Sequence, residues 1–376
     1  MKYKLKETAA GPAARARSWS AAGKKQTMSD YLIIAGLAVI MGLTLVLPFS
    51  VKRVEEDLEA FLFVMGLGAV SISGLWSLHL IGEALKEPIA ITLTVAIVGL
   101  LFRQVRPRLK GWLDGLVKKA GLAPAIFAIV TLLGLGSSFL TAIVAAIILA
   151  EVVSLLKLDH QYEIKLTVYS CYAIGLGAAL TPLGEPLSTI VVAKLKGPPH
   201  YADFFYLVKQ VGVWIVPGVL LCAALAAKGV AGASCSKTGL TEDAPDTTKV
   251  ILVRAGKVYL FVMALIFLGA GLTPLADRYL TQLPTWLLYW VNSVSAVLDN
   301  ATLAAAEIAP SMSDRQITFI LMGLLVSGGM LIPGNIPNII SSAKLGIKSG
   351  EWARAALPFG GALMMAYFIL MTIFVK

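Results

Sequence analysis

Apolar runs of helix length recur from Tyr31 to the C-terminus, separated by short polar connections. The uninterrupted runs are 31–50, 59–81, 88–102, 204–227, 257–273 and 354–375. A bilayer crossing takes roughly 20 predominantly apolar residues. The pattern therefore predicts an all-α integral membrane protein. Other segments do not fit a plain succession of spans. Residues 122–156 are too long for one upright helix and short for two crossings, and their middle reads GLGSSFLT. Residues 284–310 have the same character and turn near NSVSAVLDN (292–300). Each predicts a re-entrant hairpin, two half-length helices that enter and leave on the same face. Each is followed by an apolar run that breaks in its middle, 164–195 at TPLGEPLST (181–189) and 317–345 at IPGNIPN (332–338).

The order helix, hairpin, broken helix, helix thus occurs twice. Local similarity supports a repeat: GEPLSTIVVAKLKG (184–197) aligns with GNIPNIISSAKLGI (334–347), pairing Gly184 with Gly334, Glu185 with Asn335 and Ala-Lys-Leu with Ala-Lys-Leu. The hairpin turns SSFLTA (137–142) and SAVLDN (295–300) correspond as well, to within a one-residue slip. The expected organisation is a tail at 1–30, two extra N-terminal helices at 31–87, a first repeat at 88–228, a cytoplasmic linker at 229–256 and a second repeat at 257–376. Within it Lys194 and Lys344 are expected as interfacial anchors with their stems in the bilayer.

Charge bias orients the chain. If each hairpin returns to its own side, the connections 51–58, 103–121, 157–165, 228–257 and 344–354 share one face and carry most of the Lys and Arg beyond the tail. That face is expected to be cytoplasmic. The first hairpin then enters from the cytoplasm and the second from outside, so the repeats are inverted, with about eight full spans in all. The basic connection RQVRPRLKGWLDGLVKKAG (103–121) reads as an amphipathic helix on the membrane surface. The tail disagrees, because Lys2, Lys4, Lys6, Arg15, Arg17, Lys24 and Lys25 would lie outside. A translation start at Met28 removes the conflict.

Net charge of +10 and 57% apolar residues do not indicate nucleic-acid binding, since the cations sit in short connections and are not interleaved with stacking aromatics. Cys171, Cys222 and Cys235 have no paired spacing, and His79, His160 and His200 are scattered. No zincin, rhomboid-type Gly-x-Ser-Gly or P-loop pattern occurs. An enzyme is not expected, nor any cofactor beyond Na+ and H+ as transported or coupling ions. Glu151 and Glu307 read as interfacial carboxylates at the hairpin ends, His79 and Glu83 as the end of the second helix, and Trp214, Trp286, Trp290 and Trp352 as an aromatic belt.

Irregular backbone at membrane depth is tolerated only where it is buried in protein or lines a wet cavity. Paired breaks in inverted copies point to a transporter's binding site, where half-helix N-termini offer N–H groups and unwound carbonyls offer oxygen. The Ser/Thr/Asp/Asn hairpin turns and Pro-Gly-Asn breaks resemble those of the ion transporter superfamily, which includes NhaD-type sodium:proton antiporters, arsenite pump proteins, and citrate and dicarboxylate carriers. Within it the chain is most similar to a prokaryotic cation-transporter family of unknown function. The resemblance covers about 58–376 and is most specific at LDNATLAAAEIAP (298–310) and IPGNIPNIISSAKLGIKSGEW (332–352).

The resemblance implies ligands at Ser295, Asp299, Asn300 and Thr302, at Gly334, Asn335 and Asn338, at Ser137, Ser138 and Thr141, and at Thr181, Gly184, Glu185, Ser188 and Thr189. Asp299, Asn300 and Asn335 are the candidate Na+ ligands. Asp299 can hold either a proton or a metal ion, or it can cap the second half of its hairpin. Glu185 is a second titratable ligand or a cap; Asn335 and Asn338 coordinate an ion or satisfy the broken backbone. Where dicarboxylate carriers show Ser-Asn-Thr at both hairpins, this chain has SSFLT and LDN, which speaks against carboxylate substrates and favours a site with its own negative charge. The expectation is a multi-pass inner-membrane Na+:H+ antiporter driven by an ion gradient. Sodium-coupled uptake of an organic or inorganic anion and export of an oxyanion or arsenite are the alternatives. Its partners are the lipid bilayer and small ions, not nucleic acid, and the two extra helices offer a scaffold for a homodimer.

Overall fold

The computed structural model describes residues 28–229, 247–279, 283–296 and 300–375. Among them the regular elements are all helices. The chain opens with α1 (Met28–Ser50), a short α2 (Lys52–Glu56) and α3 (Leu58–Ser73). The expected second span, 59–81, stops early because Gly74 takes a left-handed conformation (φ 66°) that only glycine adopts without strain. Ser77 then accepts the N–H of Leu80 and starts α4 (Leu78–Ala120).

α4 corrects two expectations. It has 43 residues, so at 1.5 Å per residue it is roughly 64 Å long. The expected span at 88–102 and surface helix at 103–121 are one continuous helix, with Pro88 and Pro107 inside it. The reason is packing: Leu113 in the basic stretch is buried in the main core, so that stretch rests on protein as well as on lipid. His79 and Glu83 therefore begin this helix, paired at 3.3 Å, instead of ending the second one.

The first hairpin is α5 (Leu122–Leu140) and α6 (Ala142–Leu156), reversing at Thr141. Its first arm, at 19 residues, is longer than the half-length helix expected. Next come α7 (His160–Ala178) and α8 (Pro186–Lys194), the two parts of the first broken helix, and α9 (Tyr206–Lys228). The second half begins with α10 (Thr248–Tyr279). Its hairpin is α11 (Thr285–Val291), a 3-10 turn at Asn292–Ala296 and α12 (Asn300–Glu307). The second broken helix is α13 (Asp314–Gly328), a 3-10 turn at Ile332–Gly334 and α14 (Ile336–Leu345), followed by α15 (Ser349–Phe374).

Six described helices are long and apolar enough to cross a membrane: α1, α4, α5, α9, α10 and α15. Large apolar side chains such as Ile97 (61% exposed), Val213 (69%) and Ile373 (63%) point outward from them. A water-soluble monomer rarely exposes so much apolar surface. The chain is a multi-pass membrane protein. In contrast, α13 is buried on all sides from Ile317 to Gly328, and α7 is buried along most of its length. A helix buried all round belongs to the centre of a bundle.

Side-chain bonds fix the direction of these central helices. The start of α7 lies beside the start of α15, with His160 Nε2 3.0 Å from Glu351 Oε1, and beside the end of α9, where the Tyr162 hydroxyl donates to the Ala226 carbonyl at 2.7 Å. The start of α13 lies beside the start of α9 and the end of α15. Gln210 Nε2 donates to Thr318 Oγ1 at 2.8 Å and Arg315 to the Val375 carbonyl at 2.5 Å. Since α9 and α15 end where the other's neighbour begins, α7 and α13 start from opposite ends of the bundle.

Candidate functional site

Both broken helices open beside a proline, Pro182 or Pro333, which lacks the N–H that helical bonding needs, within stretches that glycine further weakens. At the first break, Ala178 ends α7 and Pro186 is the first residue of α8. The tip of the first hairpin seats in this gap. The Ala142 N–H donates to the Gly184 carbonyl at 2.9 Å, and the Thr181 hydroxyl donates to the Ser138 carbonyl at 2.5 Å. Thr141, at the tip, has φ 69° and ψ 148°, a conformation close to glycine-only territory. Such strain persists only where the surroundings over-determine it, and here the bonds to the break do so.

The second break is built alike. The Ser327 hydroxyl donates to the Asn292 carbonyl at 2.8 Å, joining the end of α13 to the second hairpin turn. Gly334 is so close to both that a Cβ on it would lie 2.5 Å from the Gly328 carbonyl oxygen and 3.0 Å from Ala296 Cα. Asn338 spans the gap: its Nδ2 donates to the carbonyls of Gly328 and Leu331, both at 2.9 Å. The indole of Trp352 donates to the Gly329 carbonyl at 3.2 Å, so this tryptophan is buried behind the break and is not part of an aromatic belt.

The second break lies against the helix that leads into the first. Asn335 meets α7 at Gly175, where a Cβ would fall 2.5 Å from Asn335 Nδ2. One turn earlier, Cys171 Sγ is 3.6 Å from the Pro337 carbonyl and 3.5 Å from Ser341 Oγ. The second parts of the broken helices then cross over, α8 packing on α12 of the second hairpin and α14 on α6 of the first.

The expected ligand residues are distributed as follows. Ser137, Ser138, Thr181, Glu185, Ser188, Asn300 and Asn338 are buried at the two breaks. Ser137 donates to the carbonyls of Gly134 (2.6 Å) and Ile174 (3.0 Å), and Ser138 to Leu135 (2.7 Å), so these hydroxyls tie the hairpin down. Thr189 is on the exposed side, donating to the Pro182 carbonyl at 2.6 Å. Glu185 and Asn335 occupy the N-cap positions of α8 and α14 without a side-chain capping bond. The Ser188 hydroxyl and the Asn338 Oδ1 are buried with no hydrogen-bond partner among the described residues. These two positions are equivalent in the alignment that pairs Gly184 with Gly334. Asn300 lies against Gly328, at whose Cβ position its Oδ1 would be 3.0 Å away. Asp299 and the side chains of Ser295 and Thr302 lie outside the described residues.

Sequence reasoning missed a charged cluster behind the site. Lys344 Nζ bonds Glu151 Oε1, and Arg106 Nη1 is 3.8 Å from Glu151 Oε2. The side chains of Lys344 and Glu151 are only 8% and 6% exposed, so both are enclosed by protein instead of facing solvent or lipid as expected. Lys194, the equivalent of Lys344, also reaches the opposite hairpin, donating to the Ile308 carbonyl at 2.8 Å. Glu307 beside it is 3% exposed, buried instead of solvent-facing. The signal was present in the repeated Ala-Lys-Leu, but a lysine's reach across a bundle cannot be seen in one dimension.

The chain belongs to the family described as "Protein of unknown function (DUF1646)", whose model matches residues 34–374. No curated protein matches the sequence.

Proposed function

We propose that this member of the family is a secondary active transporter that exchanges Na+ or a similar monovalent cation for protons. The observation that supports it is the second unwound segment in the buried centre of the bundle, with Asn335 lying on α7 at Gly175, three residues before that helix ends at the first break. Backbone without helical bonds is tolerated inside a membrane only where it is buried in protein or lines a wet cavity, and paired breaks of this kind point to a transporter's binding site. The buried acceptors left over at Ser188 and Asn338 are the kind a small hard cation takes.

In this reading residues 88–228 and 257–376 are inverted repeats related to the ion transporter superfamily, giving about eight full spans with the two hairpins. The opposite starting ends of α7 and α13, and the reciprocal crossing of α8 and α14 onto the other half's hairpin, are in keeping with it. The cation sits between the hairpin tips and the breaks, held by Asp299, Asn300 and Asn335 with carbonyl and hydroxyl oxygens from Ser188, Asn338 and Gly184. Access alternates as one hairpin-and-break unit rocks against the other.

A second reading, sodium-coupled uptake of an anion, draws on the uncapped N-termini of α8 and α14, which present N–H groups. Glu185 at the first of these termini weighs against it, because a carboxylate there repels the anion it would have to admit.

The test is reconstitution in liposomes containing a pH dye, with Na+, Li+, K+ and candidate anions added in turn. Proton movement driven by a cation in the absence of any anion is expected. Sodium-dependent uptake of a labelled anion, with no pH response to any cation, would overturn the antiporter reading in favour of the second.

A further inference from the structure

Glu307 ends α12 and is buried. It accepts a hydrogen bond from Asn292, Nδ2 to Oε2 at 3.0 Å. The other two oxygens of the pair, Glu307 Oε1 and Asn292 Oδ1, are both buried and have no partner among the described residues. Two acceptors with no donor therefore sit on one amide–carboxyl pair. Its counterpart at the end of the first hairpin is very different, since Glu151 faces both Lys344 and Arg106.

No cation compensates Glu307 among the described residues. Lys194, from α8, donates to the neighbouring Ile308 carbonyl. Asp314 and Arg315, at the start of α13, are engaged with His200 and the Val375 carbonyl. Arg278 lies in the last turn of α10, which also packs on α12, and no ion pair between it and Glu307 is formed among the described residues. The rest of α12 and the 3-10 turn carry no charged residue. A buried carboxylate with only a neutral amide for company is expensive in its ionised form.

A proton resolves both problems. On Oε1 it removes the charge and turns an acceptor into a donor, which Asn292 Oδ1 can accept. Amide and acid then make two parallel bonds and no atom of the pair is left over. The pair is also wired to the site. The carbonyl of the same Asn292 accepts the Ser327 hydroxyl, and the next residue, Gly328, gives its carbonyl to Asn338 across the second break.

We propose that Glu307 is the group that carries the proton in the transport cycle, held as a neutral acid by Asn292 and ionised when the second hairpin shifts. The step is a proton transfer alone: the Oε1–H bond breaks and the proton passes to water on the open face. This inference rests on the exchange reading above for its cargo, but not for the state of Glu307.

Infrared spectroscopy of the purified protein reads that state directly. A protonated-carboxyl band that converts to a carboxylate band as pH rises is expected in the wild type and absent in Glu307→Gln. In liposomes, Glu307→Gln is expected to lose cation-driven proton movement, down to the level of empty vesicles, with its thermal midpoint retained. Glu307→Asp should restore movement with a displaced pH profile. An identical band in wild type and Glu307→Gln, or full exchange by Glu307→Gln, would overturn the proposal. A Glu307 band with no cation response in the wild type supports Glu307 as the protonated group and overturns only the choice of cargo.

Discussion

The ammonium of Lys344, in the second half of the chain, is bonded to the carboxylate of Glu151, in the first. The pair fastens α14 to α6, so that the half-helix leaving the second break is anchored to the hairpin that enters the first. Lys194 does the same in the other direction, through a backbone carbonyl. Equivalent lysines therefore make reciprocal cross-ties with unlike acceptors.

Removing one partner of such a buried pair should be costly. Lys344→Met leaves Glu151 with only the more distant Arg106 and is expected to destabilise the protein by about 3 kcal/mol. The double variant Lys344→Met/Glu151→Gln should recover most of that loss. Thermal unfolding in detergent checks both, and equal midpoints for single and double variants would contradict the assignment.

Asn338 replaces two helical bonds at the second break. Asn338→Ala leaves the Gly328 and Leu331 carbonyls without that donor and should cost about 2 kcal/mol. A thermal midpoint unchanged from wild type would show that this bridge is dispensable.

The close packing around the second break can be probed with single methyl groups. Gly334→Ala places a Cβ against the Gly328 carbonyl and Ala296 backbone, neither of which can yield, and should abolish transport. Gly175→Ala meets only the end of the Asn335 side chain, which can turn away. Its expected effect is a loss of apparent cation affinity by about tenfold, or 1.4 kcal/mol, with stability kept. The cation dependence of transport in liposomes measures it.

Asp299→Asn is expected to remove exchange while the protein still folds and inserts. Transport at the wild-type rate by this variant would take Asp299 out of the site. Size-exclusion profile and membrane yield provide the control for folding.

Opposite ends of the bundle should label from opposite sides of the membrane. A single cysteine at Lys157, near His160, is expected to react only from the cytoplasm, and one at Arg315 only from outside. Reaction of both from one face would defeat the inverted arrangement.

Much of this was legible in one dimension. Helix-length apolar runs gave the class of the protein, and Gly, Pro and Asn within them located the breaks at 179–185 and 329–335 closely, because those residues act on their own backbone. The positions of the hairpins followed from run lengths. Errors arose where an element's fate depends on its neighbours. The basic stretch 103–121 continued α4 because Leu113 has a protein core to enter, which no periodicity reveals. Trp352 has the composition of a belt residue but a carbonyl of the second break within reach.

What the sequence by itself determined was the membrane class, the two interruptions and their flanking hairpins, all of which arise from local backbone chemistry and the roughly 20-residue cost of a crossing. Only the tertiary structure decided that Asn335 lies on Gly175, that Lys344 finds Glu151, and that Glu307 has Asn292 for its neighbour. Each of these joins parts of the chain through long side chains or the absence of one. Such contacts depend on how helices are arranged in space, and charge pairing and burial come into existence only once they are.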